Sequence, residues 1–319
     1  MGTMRAYALH VPRFPVIIGP TAGGKSELAV EVAMLLGGPP AAEVVTADAF
    51  QVYRGMDIGT AKPAHEERRG IAHHLIDIVE PTQKFTVSDW LGAAERAVAD
   101  INAGGRVPVV VGGTHLYIKA FLEGLFEGPD PDPGLRESLR AMGLPALRVE
   151  LERVDPAAAL RIHPNDERRT IRALEVFRQT GRPISEHQRQ WDAGGGREDC
   201  VLVGLEWPVE ALNRRINARV KGMMERGLLE EVRGLWSAGR LGPQAREALG
   251  YKQLVEHLEG RAPLEEAVEQ IKIETRRFAK NQRTWLRRLR STPKSVWIDA
   301  GVVSRVEWAT VVLEACSRA

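Results

Sequence analysis

The chain has 319 residues, of which 44% are hydrophobic and 27% are charged, and its formal net charge is +2. The length corresponds to about two domains, and the composition is close to the average for soluble globular proteins. Disordered, collagen-like and fibrous classes are therefore excluded.

A membrane protein is not expected from this sequence. No segment approaches the ~18 uncharged apolar residues of a membrane helix, and the densest apolar run, 107–111, contains Pro108. Arg5, His10 and Arg13 interrupt the N-terminal segment, so a signal peptide is not expected. Two cysteines cannot form a disulfide framework, which favours a reducing, cytoplasmic location.

The first part of the chain alternates between predicted strands and helices. The predicted strands cover 16–18, 43–47 and 107–111, with 74–79 as a further candidate, and the predicted helices cover 27–36 and 89–103. Because strands that alternate with helices form parallel sheets, we expect an α/β fold with a P-loop-type parallel sheet core flanked by helices.

The composition changes at residues 127–134, which contain three prolines and two glycines and are typical of a domain edge. Residues 135–190 are predicted to be helical. The three glycines at 194–196 are predicted to form a flexible connection back to the sheet. A strand at 200–205 is expected to rejoin the sheet, followed by helices over 209–289 and a short strand at 295–298. The sequence thus predicts a core formed by 1–127 and 198–319, interrupted by a mainly helical insertion domain at 128–197.

A phosphate-binding loop follows the first predicted strand. The pattern G-x-x-x-x-G-K-S is complete and is formed by Gly19, Pro20, Thr21, Ala22, Gly23, Gly24, Lys25 and Ser26. The backbone N–H groups and the helix N-terminus would surround phosphate oxygens, Lys25 would add a charge, and Ser26 could bind Mg²⁺. The loop predicts a di- or triphosphate ligand and leaves open whether that ligand is ATP; a chance glycine-rich turn is the alternative.

Two other predicted strands end in polar residues. Asp48 follows the strand 43–47, and Thr114 follows the strand 107–111. In a parallel sheet these ends meet the phosphate loop at one cleft. Asp48 could be a Mg²⁺ ligand, a general base or a helix cap, and Thr114 could belong to an ordinary turn. Gly112 stands where an ATPase usually carries an acidic residue, which weakens the ordinary NTPase interpretation without removing it, because Asp48 or Asp77 could substitute.

Basic residues are concentrated in three places. Residues 276–290 contain seven basic and no acidic residues, and Phe278, Trp285 and Leu289 could anchor one side of such a helix. Further basic clusters occur at 161–189 and 214–221. Segregation of positive charge in a chain of net charge +2 favours nucleic-acid binding over a merely solvated surface.

Together these segments resemble the tRNA dimethylallyltransferase family, also called the tRNA isopentenyltransferases. The matching stretches are GPTAGGKS at 19–26, DAFQVYRGMDIGTAKP at 48–63, HHLID at 73–77, GGTHLYI at 112–118, DP at 155–156, HPND at 163–166, RALE at 172–175, ALGYKQ at 248–253 and the basic run 276–287. They follow the family's order over nearly the whole chain. The phosphate loop is generic, whereas the run 51–63 is highly specific.

The resemblance implies transfer of a dimethylallyl group from dimethylallyl diphosphate to N6 of the adenosine 3′-adjacent to the anticodon in tRNA, with release of diphosphate. It implies that Asp48 accepts the N6 proton, that Thr114 and Arg219 contact the diphosphate with Mg²⁺ present, and that the target base is flipped out. It implies a tRNA footprint at Asp48, Ala49, Phe50, Gln51, Thr114, Arg136, Arg168, Arg169, Thr170, Ile171, Arg172, Arg276, Arg277, Lys280 and Arg283. Gln51 would read a neighbouring base edge, and a cytoplasmic monomer is expected.

Two positions depart from the family pattern. Ala49 stands where serine is usual, and His115 is uncommon after the Gly-Gly-Thr sequence. The rival functions are a P-loop kinase, an isopentenyltransferase that acts on a free adenylate, and an NTP-gated RNA-binding switch without chemistry. The kinase explains the loop and Asp48 but gives the basic helices no role.

Overall fold

The computed structural model of the protein describes residues 11–125, 128–188 and 197–318. These residues form two compact units, one built from 11–120 and 197–318 and the other from the residues between 121 and 188. The predicted glycine-rich return at 194–196 lies outside the described residues. In the described part of the chain, no helix is both long and apolar enough to cross a membrane.

The first unit is organised around a parallel sheet. Its strands are β1 (Phe14–Ile18), β2 (Ala42–Ala47), β3 (His73–His74), β4 (Val107–Gly112), β5 (Cys200–Glu206) and β6 (Val296–Asp299). They pair in the order β3-β2-β4-β1-β5-β6, and every pair is parallel. The α/β prediction is confirmed. Because β1 lies between β4 and β5, the loop that follows it emerges at the middle of the sheet.

The helices are numbered along the whole chain. They are α1 (Lys25–Leu35), α2 (Val87–Ala103), α3 (His115–Glu123), α4 (Pro133–Met142), α5 (Leu144–Val154), α6 (Pro156–Arg161), α7 (Glu167–Thr180), α8 (Ile184–His187), α9 (Val209–Glu225), α10 (Leu228–Ser237), α11 (Tyr251–Leu258), α12 (Leu264–Leu289) and α13 (Arg305–Ser317).

The strands are buried on both faces. Alternate residues such as Ile17, Val109 and Val203 join α1 and α13 in one apolar cluster. The intervening residues, such as Val16 and Val110, point to the opposite face because side chains alternate along a strand, and they are fully buried as well. The near-continuous apolar strands of the sequence are therefore the consequence of helices covering both faces.

Two elements differ from the predictions. The candidate strand 74–79 is wrong except for its first residue, because Leu75 (φ +63°) and Asp77 (φ +57°) adopt left-handed conformations that take the backbone out of the sheet. Helix α13 has no predicted counterpart, although Ser304 donates its N–H and its hydroxyl to the Glu307 carboxylate, a capping pair that the sequence contains.

All the secondary structure described in the second unit is helical, and α4 to α8 belong to it. Its core contains Leu139, Leu147, Leu151 and Leu174, all fully buried. Three aspartates begin its helices: Asp132, Asp155 and Asp166 accept backbone N–H groups at the starts of α4, α6 and α7.

A buried carboxylate ties this unit together. Glu175 is fully buried and accepts hydrogen bonds from the Arg136 guanidinium at 2.8 and 2.9 Å, from Arg172 at 2.5 Å and from the Asp132 N–H at 2.8 Å. Burial alone would raise the pKa of Glu175, but these donors outweigh it and hold that pKa below its usual range. The carboxylate is therefore charged and fully paired.

Candidate active site

The phosphate loop leaves β1 and turns directly into α1. Gly24 has φ +87°, a left-handed conformation that favours glycine, and Ala22 adopts one as well at φ +58°. The first N–H groups of α1, including those of Lys25 and Ser26, have no partner within the helix. This geometry forms an anion-binding helix N-terminus.

Side chains from distant parts of the first unit hold the outside of the loop. Trp207 donates its indole N–H to the Gly23 carbonyl at 3.1 Å, and Arg215 donates to the Ala22 carbonyl at 2.7 Å. The Arg215 guanidinium also lies 4.5 Å from the centre of the Trp207 ring. The carbonyl oxygens of Ala22 and Gly23 therefore accept hydrogen bonds on the outside of the loop and not on the side of the anion site. Trp207 is half-buried and packs against the apolar cluster of the sheet while it supports the loop.

Gln282 on α12 joins the phosphate loop to the end of β4. Its side-chain carbonyl accepts the Thr21 N–H at 2.8 Å, and its amide donates to the Gly113 carbonyl at 2.9 Å. Gln282 is buried, so both bonds are shielded from water. The sequence analysis missed this residue because its partners lie 261 and 169 positions away.

Two cations and one carboxylate approach the phosphate loop without an ion pair in the described part of the chain. Burial and the neighbouring Arg219 lower the pKa of Lys25 to about 7, although the charge of Asp48 acts in the opposite direction. Burial likewise lowers the pKa of Arg219, again against the effect of Asp48. An anion placed here would relieve the repulsion between the two cations.

The two carboxylate oxygens of Asp48 differ, because one is held by hydrogen bonds and the other is open. Its Oδ1 accepts the N–H groups of Phe50 and Gln51 at 2.9 and 3.2 Å, which forms a turn after β2 rather than a helix cap. Within the described residues, no donor reaches its Oδ2. Nearby, the Thr114 hydroxyl accepts the Ala49 N–H at 3.1 Å, which links the ends of β2 and β4 and leaves the hydroxyl proton available.

These groups line one cavity of about 490 Å³ within the first unit. Its lining includes the predicted site residues Thr21, Lys25, Ser26, Asp48, Ala49, Phe50, Gln51, Thr114, Arg219 and Arg277. The rest of the predicted phosphate loop, Gly19, Pro20, Ala22, Gly23 and Gly24, shapes the backbone behind them. The predicted meeting of three strand ends is observed.

The predicted tRNA contacts fall into exposed and buried groups. Arg277 and Lys280 are exposed on α12, Arg283 is half-buried, and Arg276 donates to the Asn217 side chain at 2.7 Å. On α7, Arg168 and Arg169 are exposed. Their RNA contacts stay predictions.

Four residues of the second unit have structural partners that the sequence did not reveal. Thr170 and Ile171 are buried, so their side chains cannot meet RNA without rearrangement, and any contact at this turn falls to Arg168 and Arg169. Arg136 and Arg172 hold Glu175, as described above.

The highly specific run 51–63 forms a tightly bonded loop. Gln51 is buried and donates its amide to the carbonyls of Thr60 and Ala61 at 3.1 and 3.3 Å. The ammonium of buried Lys62 lies between Asp57, at 2.7 Å, and Asp77. Gln51 therefore holds one wall of the cavity, and its reading of a base edge stays a prediction.

Glu231 on α10 holds the loop 51–63 through hydrogen bonds to its backbone. Its carboxylate accepts the N–H groups of Asp57, Ile58 and Gly59 at 2.9, 2.8 and 3.1 Å, and it also accepts the Tyr251 hydroxyl. A Cβ on Gly59 would lie 2.4 Å from the Tyr251 ring, so only glycine fits there. Two motifs that are far apart in sequence, 48–63 and 248–253, thus meet at one carboxylate.

The parallel sheet, the phosphate loop and the two neighbouring cations define a P-loop-type α/β protein that has a carboxylate beside its phosphate loop. A model of the IPP transferase family matches residues 51–289. The chain is 45% identical to a tRNA dimethylallyltransferase of Syntrophobacter fumaroxidans over 304 residues, covering 92% of this chain and 86% of the relative.

Solved structures agree with this comparison. A tRNA isopentenylpyrophosphate transferase of Bacillus halodurans matches with a TM-score of 0.69 and 37% identity, over 96% of this chain and 98% of that one. A eukaryotic dimethylallyltransferase acting on tRNA matches with a TM-score of 0.79 and 29% identity, over 92% and 75% of the two chains. The chain belongs to the IPP transferase family.

Proposed function

We propose that the protein transfers a dimethylallyl group from dimethylallyl diphosphate to N6 of the adenosine 3′-adjacent to the anticodon in tRNA. The observation that carries this proposal is that Asp48, Thr114, Lys25 and Arg219 line the same cavity as the phosphate loop. A proton acceptor beside a diphosphate site suits an alkyl transfer in which an amine displaces diphosphate. The relatives reported above are named for this activity.

The diphosphate of the donor is proposed to lie on the phosphate loop. The N–H groups at the start of α1 and the Lys25 ammonium would contact its oxygens, the Thr114 hydroxyl would donate to it, and Arg219 would approach from α9. These donors stabilise the negative charge that accumulates on the leaving group as its C–O bond breaks. A bound diphosphate also raises the pKa of Lys25 from about 7, so the lysine is charged when the substrate is present.

In the transfer step a C–N bond forms while a C–O bond breaks. The N6 lone pair forms a C–N bond to C1 of the dimethylallyl group, and the C–O electron pair leaves with the diphosphate. The extra proton on N6 passes to the open Oδ2 of Asp48. Since Oδ1 is held by the turn at Phe50 and Gln51, the carboxylate keeps one orientation throughout.

The site is suited to a Mg²⁺ ion that is shared with the substrate. The Ser26 hydroxyl lines the cavity and is a hard oxygen ligand, but the described residues contain no group of three metal-binding His, Cys, Asp or Glu side chains. Mg²⁺ commonly binds through one or two protein oxygens plus substrate phosphates, so Ser26 together with a bound diphosphate fits it. When bound, it would neutralise part of the leaving group's charge.

The acceptor is proposed to be an RNA base that is flipped out of its loop, because an N6 amino group inside a stack cannot reach Asp48. The exposed arginines and lysines of α12, and Arg168 and Arg169 on α7, would contact phosphates of the anticodon stem-loop. This gives the basic clusters a role that a small-molecule kinase would not.

The test is incubation of the protein with dimethylallyl diphosphate, Mg²⁺ and an anticodon stem-loop RNA, followed by mass spectrometry. We expect the addition of one C5H8 unit to the RNA. Parallel reactions with AMP as acceptor, and with ATP in place of the prenyl donor, test the two enzymatic rivals. Prenylated AMP or phosphate transfer from ATP, with unmodified RNA, would contradict the proposal.

A further inference from the structure

Helix α12 contributes seven residues to the lining of the cavity, and four of them form one stripe. Ile271, Thr275, Phe278 and Gln282 are spaced by four, three and four positions, which places them on one helix face. Ile271 and Gln282, at the two ends of the stripe, are buried, whereas Phe278 between them is 41% exposed. A large aromatic residue that lines the cavity is therefore more open than either end of its stripe.

Phe278 is not needed to anchor the helix. Sequence reasoning gave it that role, but Ala279, Leu286 and Leu289 are the buried apolar residues of this segment. Single exposed apolar residues are common on protein surfaces, but Phe278 lies in the lining of the cavity, where a ligand can cover it. Its neighbour Arg277 lines the same cavity, is exposed and forms a surface ion pair with Glu274 at 3.4 Å. An open aromatic ring beside a cation is the arrangement that binds an unstacked nucleobase.

The position of the ring along the helix matches the order of groups in the proposed substrates. Gln282 accepts the Thr21 N–H of the phosphate loop, and Phe278 lies one helical turn, about 6 Å, further along the axis. In the proposed complex, the diphosphate is followed by C1 of the dimethylallyl group and N6 of the adenine, and then by the adenine ring. Phe278 lies beyond the phosphate end of the cavity, at the position expected for the adenine ring.

We propose that Phe278 is the surface on which the flipped adenine stacks. This inference rests on the proposed function and adds a binding residue to it. Stacking holds the base by its π-face after the base has been extruded, so the ring contributes to RNA binding, while extrusion itself and the diphosphate site are left unchanged. Tyr or Trp can replace the ring, but an aliphatic residue of similar size cannot.

The experiment uses the full chain and a stem-loop RNA with 2-aminopurine in place of the target adenosine. This base carries its amino group on C2 and has no N6 amine to alkylate, so the complex does not turn over. We expect the wild-type, Phe278→Tyr and Phe278→Trp proteins to quench its fluorescence. Phe278→Ala and Phe278→Leu are expected to leave it several-fold brighter. The matched control is Ile273→Ala, since Ile273 is 40% exposed on the same helix but does not line the cavity.

Steady-state kinetics with the normal RNA supply the second measurement. Phe278→Ala should raise KM for the RNA about tenfold or more, with KM for dimethylallyl diphosphate changed less than twofold. Equal quenching by Phe278→Leu and Phe278→Tyr, or quenching only when 2-aminopurine occupies a neighbouring position, would overturn the stacking role. A wild-type protein that adds no C5H8 to RNA would instead overturn the proposed function.

Discussion

The two units of the molecule differ in whether their buried charged groups form ion pairs. In the helical unit, Glu175 is surrounded by two guanidinium groups and a backbone N–H, and its charge is fully compensated. In the unit that contains the sheet, Lys25, Arg219 and Asp48 share a cavity but form no ion pair within the described residues. The donors around Glu175 lower the pKa of its carboxyl group. In the cavity, burial lowers the pKa of both Lys25 and Arg219.

The contrast separates a structural cluster from a binding cluster. A carboxylate that already has its donors stabilises the fold and has little left to offer a ligand. Cations that are kept apart from carboxylates destabilise the empty protein, and this cost is recovered when an anion binds. Four variants test this distinction.

The largest effect is expected at Asp48. Asp48→Asn keeps an oxygen for the turn at Phe50 and Gln51 but cannot accept the N6 proton, so the transfer rate should fall about 10²- to 10⁴-fold. RNA affinity, measured by filter binding, should change little. Asp48→Ala should lower the rate as strongly and in addition destabilise the turn. A near-normal rate for Asp48→Asn would exclude Asp48 as the base.

Loss of Glu175 should affect stability rather than chemistry. Glu175→Gln leaves two half-buried guanidinium groups without their charge partner, and we expect the free energy of unfolding to fall by about 1–3 kcal/mol in urea denaturation. Since the pKa of Glu175 is lowered in the fold, its contribution is present above the unfolded pKa and is lost as pH falls through the folded value.

The matched control for this prediction is Glu137→Gln in the same unit. Glu137 is exposed and pairs with Arg140 at 3.2 Å, so its loss should cost less than about 1 kcal/mol. Equal losses for the two variants would remove the distinction between the clusters.

Lys25 should make anion binding depend on pH. With a pKa of about 7, Lys25 in the empty site loses its charge as pH rises above neutrality, so pyrophosphate affinity should fall between pH 7 and 9. The ligand's own titration is the same for every variant. The comparison of wild type with Lys25→Met by titration calorimetry therefore isolates the lysine, and Lys25→Met should bind more weakly with a flatter pH profile.

The same lysine has the opposite effect on the empty protein. Because its folded pKa lies below its unfolded value of 10.5, the folded state binds fewer protons between about pH 7 and 10.5, and stability rises with pH across that window. Lys25→Met should remove this dependence and raise the melting temperature at pH 7. A lower melting temperature for Lys25→Met would show that the lysine is structural.

The smallest effect is expected at the basic surface of α12. The double variant Arg277→Gln/Arg283→Gln should weaken RNA binding and flatten the plot of log affinity against log salt by about 0.7–0.9 for each lost phosphate contact. Arg233→Gln/Arg240→Gln removes the same charge from exposed positions outside the predicted footprint and serves as control. Identical salt slopes for the two double variants would place the RNA elsewhere.

Much of the site could be predicted because its signals are local. The phosphate loop, the acidic end of β2 and the Gly-Gly-Thr end of β4 are each contiguous in sequence, and parallel strands bring such ends together. The helical character of the second unit was likewise predicted over 135–190, but its separate helices and their aspartate caps were not. Residues 74–79 look like a strand, but left-handed Leu75 and Asp77 break it, and their conformations depend on contacts with the run 51–63.

The sheet, the phosphate loop and the chemical identity of the groups at the strand ends follow from the amino-acid sequence, because they depend on hydrophobic periodicity and on neighbours a few positions apart. Which polar groups are already paired depends on the three-dimensional packing. Glu231 finds its three backbone N–H donors some 173 residues away, and Gln282 spans two loops that no periodicity connects. A side chain's partners are set by packing between distant segments, and that packing left Lys25 and Arg219 without ion-pair partners in the described part of the chain while satisfying Glu175.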